Sequence, residues 1–405
     1  MAEIEVPPYF LCPITMEMMK DPVTVSTGIT YDREAIERWV FSDNNTTCPL
    51  TKQPLIISII TPNLTLRRLI QSWCTLHASN GVQRLPTPKP TPTHPQLSKL
   101  LQDSSNTIST SQIKSLQRLR LIAAANQSNK RSLEAAGAAQ ILSSLIVAKS
   151  LHGHEDDDCC EEALAILYTL KLSESSLKTL TKNPQFFHSL TLLMQKGRSY
   201  ESRAYAIMLL ESMAELADPS QLINLRPQFF TELSQILRDQ ISPKASKAAL
   251  TALINATPWG KNRIKAVESG AVSILIDLLL DSSDKRQCEM ILTVLDHLCQ
   301  CAEGRADLLS HAAGLAVVSK KILRVSQLAS ERAVRILHSI SKFSATPAVV
   351  AEMLQVGVAA KLCLVLQVDC GSKSKERAVE MLRSNARAWR NASCMPNILI
   401  SSYPC

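Results

Sequence analysis

Aromatic residues are scarce in this sequence, and so is glycine. Phe, Trp and Tyr make up 4% of the 405 residues and there are 11 glycines, whereas hydrophobic residues of all kinds reach 45%. Sandwiches and barrels draw on aromatic side chains for their cores and on glycine for many tight turns. The chain is also too long for one ordinary compact core. The composition therefore favours packed helices in several domains or in one extended array.

Long apolar runs and clustered charge are absent as well. No stretch is as long and apolar as a membrane-spanning helix requires, and the start MAEIEVPPYF lacks the apolar core of a secretory signal. The net charge of +8 is dispersed, without a basic run interleaved with aromatics, so we expect no nucleic-acid partner and no membrane span. The 12 cysteines are scattered and suit a reduced compartment. We expect a cytoplasmic protein, with a nuclear pool left open.

Zinc ligands are too few near the N-terminus. A Cys-Pro pair stands at the head of CPITMEMMKDP and another at the head of CPLTKQPL, 36 residues further on. A structural zinc site needs a full tetrahedral set of Cys and His ligands, most often with C-x2-C pairs. Before residue 82 there are three cysteines, one histidine and no C-x2-C pair. We predict no metal and no other cofactor.

Other interactions must then hold the two loops that follow the Cys-Pro pairs. We expect hydrogen bonds, ion pairs and apolar packing to do so. The polar candidates are Glu17, Lys20, Asp21, Asp32, Arg33, Glu34 and Thr51.

Short strands and two helices are predicted around these loops. PVTV (22–25) and ITY read as strands, followed by a helix from about Asp32 to Phe41 with Asp32 as its N-cap. A second helix is predicted from Asn63, which is also a favourable N-cap. The expected core residues are Val23, Val25, Ile36, Leu55 and Leu69.

A proline-rich segment divides the chain. Five of the ten residues in PTPKPTPTHP (86–95) are proline, which predicts an extended spacer. We predict a first domain over residues 7–80, a linker over 81–98, a repeat region over 99–395 and a tail over 396–405.

The region after the linker repeats with a nearly constant period. The recurring positions, here called the repeat breaks, are Gly137, Pro184, Pro227, Gly270, Gly314 and Gly357. Their spacings are 47, 43, 43, 44 and 43 residues, and the longer first step contains the insertion HGHEDDD. Helical apolar patterns flank each break, and this period is typical of armadillo or HEAT repeats. Such repeats stack into a superhelix with a long groove.

Two resemblances follow from these segments. FLCPITMEMMKDPVTVSTGITYDREAIERW, CPLTKQPL and PNLTLRRLI resemble the U-box, the metal-free relative of the RING. The segments SNKRSLEAAGAAQILSSLI and GKNRIKAVESGAVSILIDLL resemble armadillo repeats. We prefer this class over HEAT repeats because both segments contain a Gly-Ala turn, which HEAT repeats usually lack. The chain is thus similar to plant U-box/armadillo ubiquitin ligases, in the shorter subgroup without an extra N-terminal helical domain. The expected fold is an α+β U-box followed by an all-α armadillo solenoid.

The resemblance implies a function. U-box ligases form no covalent intermediate with ubiquitin; they bind a ubiquitin-charged conjugating enzyme and position its thioester. Armadillo repeats would select the protein substrate in their groove, and the subgroup is associated with plant stress and immune signalling. A U-box homodimer is left open. The alternative is a non-catalytic armadillo scaffold whose U-box serves only for docking.

The resemblance also implies site residues. Matched to the family pattern, Ile14, Met16, Trp39 and Pro49 would bind the conjugating enzyme, and Lys52 would occupy the position of a cation that activates ubiquitin. Ile14 and Trp39 also fit ordinary core positions, and Lys52 also fits a solvated surface lysine.

One groove residue is implied in the same way. Armadillo grooves often carry Asn on the third helix of a repeat, and Asn255 fits that position. Elsewhere Cys, Ser or His replaces it, so a function like that of nuclear import receptors is not expected.

Overall fold

The computed structural model describes residues 6–41, 45–56, 60–80, 82, 94–105, 109–152, 158–197, 199–223, 225–368 and 370–389. The chain divides into two compact units, Met1–Ala138 and Ala139–Cys405. The predicted tail over 396–405 and most of the predicted linker over 81–98 lie outside the described residues. A helix nevertheless begins at His94, inside the predicted linker, because proline at position 95 is tolerated in a first helical turn.

The described residues of the first unit form a small antiparallel sheet and five α-helices. The strands are β1 (Pro22–Val25), β2 (Thr30–Asp32) and β3 (Ile60–Pro62), in the order β2-β1-β3. The helices are α1 (Arg33–Phe41), α2 (Leu64–Leu76), α3 (His94–Ser105), α4 (Ser109–Ala125) and α5 (Gln127–Ala135). Short 3-10 turns cover Pro8–Phe10 and Ala78–Asn80. β3 was not predicted from the sequence; it is three residues long and pairs with β1 over Val23, Thr24 and Val25.

The core of the sheet region largely follows the prediction. Val23, Val25 and Ile36 are buried, and Leu55 packs against the same cluster. The prediction for Leu69 is wrong, since this side chain is 53% exposed. The buried stripe of α2 instead includes Ile70, the next residue, and one position along a helix turns the side chain by about 100°.

The second unit is built from helices alone among its described residues. The bounds are α6 (Ala138–His152), α7 (Asp158–Leu170), α8 (Glu174–Thr181), α9 (Pro184–Lys196), α10 (Tyr200–Leu216), α11 (Pro219–Leu222), α12 (Pro227–Asp239), α13 (Pro243–Ala256), α14 (Gly260–Glu268), α15 (Ala271–Asp281), α16 (Lys285–Leu298), α17 (Ala302–Ser310), α18 (Gly314–Lys321), α19 (Gln327–Phe343), α20 (Pro347–Gln355), α21 (Val358–Gln367), α22 (Ser372–Ser384) and α23 (Ala386–Trp389).

These helices follow one another in triplets. From α8 onwards each triplet holds a short first helix, a second helix and a longer third helix. The last helices of successive repeats, α7, α10, α13, α16, α19 and α22, contact one another in sequence order. We call this set the third-helix row.

The repeat breaks start or precede the second helix of each triplet, for three different physical reasons. Pro184 and Pro227 are the first residues of α9 and α12, where their missing N–H costs nothing. Gly270 precedes α15 with a φ of +76°, a conformation that strains other residues. Gly314 has no positive φ; a Cβ there would collide with the carbonyl oxygen of Leu308.

No single helix in the described ranges is long and apolar enough to cross a membrane. The pair α20 and α21, bent by 64°, meets the criteria of length and hydropathy only when its two helices are taken together.

Candidate functional site

Two turns with related sequences lie at the Cys-Pro pairs. In the first Cys-Pro turn, CPITME (12–17), the Cys12 N–H donates to the Glu17 carbonyl oxygen at 2.8 Å, and the Met16 N–H donates to the Cys12 carbonyl oxygen at 2.8 Å. Met16 has a φ of +58°, in the left-handed region.

The second Cys-Pro turn, CPLTKQ (48–53), repeats this geometry. The Cys48 N–H donates to the Gln53 carbonyl oxygen at 2.8 Å, and the Lys52 N–H donates to the Cys48 carbonyl oxygen at 2.9 Å. Lys52 has a φ of +59°. The two turns are therefore structural copies in which Lys52 corresponds to Met16 and Leu50 corresponds to Ile14.

Asp32 holds the segment that follows the first turn. Its Oδ1 accepts hydrogen bonds from the backbone N–H groups of Lys20 and Asp21, both at 2.8 Å, and its own N–H donates to Cys12 Sγ at 3.3 Å. The prediction of Asp32 as N-cap of α1 is therefore wrong in its role, although the helix does begin at the next residue, Arg33. The carboxylate satisfies loop donors instead of helix donors.

An ion-pair cluster fixes the same segment to the helices. Arg33 lies 2.6 Å from Asp21 and 3.5 Å from Glu37, and Arg67 of α2 lies 3.7 Å from Asp21. These groups are mostly buried, so water screens the attraction only partly. Glu34 differs from the prediction, because it pairs with exposed Arg38 on the surface of α1 and holds no loop.

Tyr31 holds the second turn through Cys48. The Tyr31 hydroxyl accepts from the Leu50 N–H at 3.2 Å and lies 3.0 Å from Cys48 Sγ, to which it can donate its own proton. Thr27 donates to the same sulfur at 3.4 Å. Burial raises the pKa of the Cys48 thiol, but hydrogen bonds from Thr27, Thr51 and Tyr31 outweigh it and lower the pKa to about 6. Burial raises the pKa of Tyr31, so this group stays a donor.

Neighbouring residues of β2 thus hold both Cys-Pro turns. Tyr31 contacts Cys48, Asp32 contacts Cys12, and α1 follows directly with Trp39 in its last turn. Among the described residues no group of three or more His, Cys, Asp or Glu is placed to hold a metal ion.

The site residues inferred from the resemblance have different exposures. Met16 is 71% exposed, whereas Ile14, Trp39 and Pro49 are half-buried. Ile14 and Trp39 pack against the core of the sheet region, so each combines a core contact with an accessible face. Trp39 Nε1 donates to the Thr47 carbonyl oxygen at 2.8 Å, which fixes the indole beside the second turn.

Sequence reasoning missed Leu50. Its side chain is 60% exposed on the second Cys-Pro turn. The signal was available in the sequence, because aligning CPIT with CPLT places Leu50 at the position of Ile14. We call Ile14, Met16, Trp39, Pro49 and Leu50 the candidate docking surface.

Lys52 lies at the edge of this surface. Its Nζ is 5.9 Å from the centre of the Trp39 ring, within the range of a cation–π contact. The side chain is exposed.

The third-helix row carries polar contacts from one helix to the next. Tyr168 of α7 stacks on Tyr205 of α10 with ring centres 4.4 Å apart. Asp296 of α16 pairs with Arg332 and Arg335 of α19 at 2.9 and 3.1 Å. Asn255 lies half-buried on α13, in this row, and its role stays a prediction.

Comparisons with known proteins agree with this architecture. The family model described as U-box domain matches residues 6–79, and the model described as plant U-box protein ARM repeat region matches residues 96–405. The predicted fold class, an α+β U-box followed by an all-α armadillo solenoid, is thereby confirmed.

Curated relatives from Arabidopsis thaliana extend along the whole chain. E3 ubiquitin-protein ligase PUB23 is 54% identical, with 100% of this chain and 98% of the relative covered. E3 ubiquitin-protein ligase PUB22 is 51% identical, with 99% of each covered. E3 ubiquitin-protein ligase PUB24 is 36% identical, with 98% of this chain and 96% of the relative covered. This chain therefore belongs to the plant U-box family with armadillo repeats.

Proposed function

We propose that this chain is a ubiquitin-protein ligase whose U-box binds a ubiquitin-charged conjugating enzyme through the candidate docking surface. Three relatives that match nearly its full length are named as ubiquitin-protein ligases. The observation that carries the proposal is the pair of matching Cys-Pro turns, which expose Met16 and Leu50, with the indole of Trp39 fixed beside the second turn.

Exposed apolar side chains on rigid turns are suited to binding a partner. Met16 and Leu50 are 71% and 60% exposed, although the hydrogen bonds of their turns fix the backbone in one conformation. A fixed backbone loses little conformational entropy on binding. Trp39 adds a large aromatic side chain, the residue type most enriched among interface hot spots.

The mechanism we infer is positioning without a covalent step. The conjugating enzyme supplies the thioester, and Lys52 next to Trp39 would donate a hydrogen bond to ubiquitin and hold the thioester in its reactive conformation. Cys48 has a lowered pKa but is fully buried and holds its own turn. Its thiolate therefore supports the fold and would not receive ubiquitin.

The repeats would select the substrate. The third helices contact one another in an unbroken row, and half-buried Asn255 is a candidate contact within it. We extend the proposal to plant stress and immune signalling in the cytoplasm.

A reconstituted reaction separates the ligase from the scaffold alternative. The chain is mixed with activating enzyme, conjugating enzyme, ubiquitin and ATP, and its own lysines serve as acceptors. A ligase gives ubiquitin chains on itself, and Leu50→Ala, at an exposed side chain, removes most of them while the melting curve stays unchanged. Binding of the conjugating enzyme without any ubiquitin transfer would favour the docking-only scaffold.

A further inference from the structure

The charge of the third-helix row changes sign along its length. α7 carries three acidic residues and no Lys or Arg, and α10 carries three acidic residues and one Arg. Further on, α13 carries two Lys and no acid, α19 carries three Lys or Arg and one acid, and α22 carries four Lys or Arg and two acids. α16, between α13 and α19, carries two Lys or Arg and two acids. The row is thus acidic in its first two helices, balanced in α16 and basic in α13, α19 and α22.

Three arginines concentrate the positive charge. Arg332 and Arg335 of α19 both pair with Asp296, and Arg377 of α22 acts on the same carboxylate through its charge. We call these three residues the arginine cluster. Asp296 is 3% exposed, and Arg332 and Arg335 share its carboxylate.

The arginine cluster keeps unused donor capacity. Each guanidinium has five N–H donors in a planar fork. Arg332 contacts Asp296 through Nη1 and Arg335 contacts it through Nε, and the two side chains remain 24% and 33% exposed. Glu380 of α22 pairs instead with His338 at 2.7 Å and with Lys342 at 3.5 Å.

We propose that the arginine cluster binds an acidic segment of a protein substrate, through Asp or Glu carboxylates or through phosphorylated side chains. Arg is the preferred partner of both anions because its fork donates two parallel hydrogen bonds. This inference rests on the proposed role of the third-helix row in substrate selection. To the proposed role it adds that the bound segment of the substrate is acidic.

The sign change favours a protein over a nucleic acid. A nucleic acid carries negative charge along its entire backbone and would meet α7 and α10 with repulsion. A protein segment can be acidic where it meets α19 and α22 and neutral or basic where it meets α7 and α10.

The test is fluorescence anisotropy with the full chain and labelled peptides of equal length. One peptide alternates Asp with Ser, a second alternates phosphoserine with Gly, and a third alternates Lys with Ser. An oligothymidine serves as a fourth probe. We expect both acidic peptides to bind more tightly than the Lys peptide and the oligonucleotide. The ratio between the Asp and phosphoserine peptides then shows which anion the cluster prefers.

A matched pair of double variants locates the site. Arg335→Gln with Arg377→Gln removes two positive charges but keeps the pair between Arg332 and Asp296. We expect about a tenfold or larger loss of affinity for the acidic peptides, because bonds between charged partners are lost. The control, Arg238→Gln with Lys320→Gln, removes the same charge from exposed positions on α12 and α18 and should bind as the wild type does.

Three outcomes would overturn the inference. They are tighter binding of the Lys peptide or the oligonucleotide, equal losses in the two double variants, or no loss in the first. If the first double variant melts early, Arg335→Lys with Arg377→Lys keeps the charge but removes the fork, and a loss of affinity is still expected. Ubiquitin transfer by the wild-type chain is measured separately, since peptide binding does not depend on the U-box.

Discussion

Lys52 Nζ lies 5.9 Å from the centre of the Trp39 ring, with Trp39 Nε1 fixed to the Thr47 carbonyl oxygen at 2.8 Å. The cation and the indole therefore occupy one edge of the candidate docking surface. The Lys52 N–H donates to the Cys48 carbonyl oxygen at 2.9 Å, which fixes the backbone of the turn. The four-carbon side chain of Lys52 is exposed and flexible.

This arrangement predicts that Lys52→Arg is a more active variant. A guanidinium offers several donors in a rigid fork and stacks well on an indole, so less entropy is lost for each hydrogen bond that it forms. We expect ubiquitin discharge to become several-fold faster with Arg, by roughly 1 kcal/mol, and several-fold slower with Ala. Rates equal to wild type in both variants would show that Lys52 is only a solvated lysine.

Exposure separates Leu50 from Ile14. Leu50→Ala should leave the melting temperature unchanged and weaken the encounter with the conjugating enzyme by about 2 kcal/mol, as expected for an interface hot spot. Ile14→Ala should lose activity and also some stability, because its side chain packs partly on the core. Leu76→Ala is the control, since Leu76 is 76% exposed on α2. If Leu50→Ala is as active as this control, Leu50 does not belong to the candidate docking surface.

Repetition made most of the fold predictable from the sequence. A break every 43 to 47 residues between amphipathic segments defines helical repeats, whichever residue supplies the break. The reason for each break was not predictable, because Gly314 is required by a close approach to Leu308 that only the packed structure contains.

Local patterns predicted the docking site less completely. Asp32 has the sequence signature of an N-cap, yet its carboxylate bonds to Lys20 and Asp21, which are distant in sequence. Long-range hydrogen bonds of this kind leave no periodic signal. Leu69 and Ile70 are adjacent and both apolar, so only the packing of α2 decides which one is buried.

Cys48 predicts a pH dependence of stability. Its pKa falls from 9.0 to about 6 in the folded state, so between these values the unfolded chain binds more protons. The contribution of Cys48 is therefore complete above pH 9, decreases as the pH falls and is lost below about 6. We expect the melting temperature of wild type minus that of Cys48→Ser to be larger at pH 9 than at pH 6. A difference that does not change with pH would contradict the hydrogen-bonded thiolate.

Two repeat breaks, Gly314 and Gly270, and one other glycine, Gly260, predict a graded set of stability losses on substitution by alanine. Gly314→Ala should destabilise the chain by about 1–3 kcal/mol, because its Cβ would collide with the Leu308 carbonyl. Gly270→Ala should cost about 1–2 kcal/mol through its positive φ. Gly260→Ala, at an open position at the start of α14, should be neutral or slightly stabilising. Urea unfolding monitors all three, and equal effects would show that the breaks tolerate any small residue.

Single-turnover discharge tests the central claim most directly. A conjugating enzyme is charged with ubiquitin, the charging reaction is stopped, and loss of the thioester onto free lysine is followed with and without the full chain. The account predicts that the chain accelerates discharge, that Leu50→Ala abolishes most of this acceleration, and that no ubiquitin becomes linked to a cysteine of the chain. No acceleration by the wild-type chain, or a ubiquitin adduct on the chain that thiols remove, would contradict it.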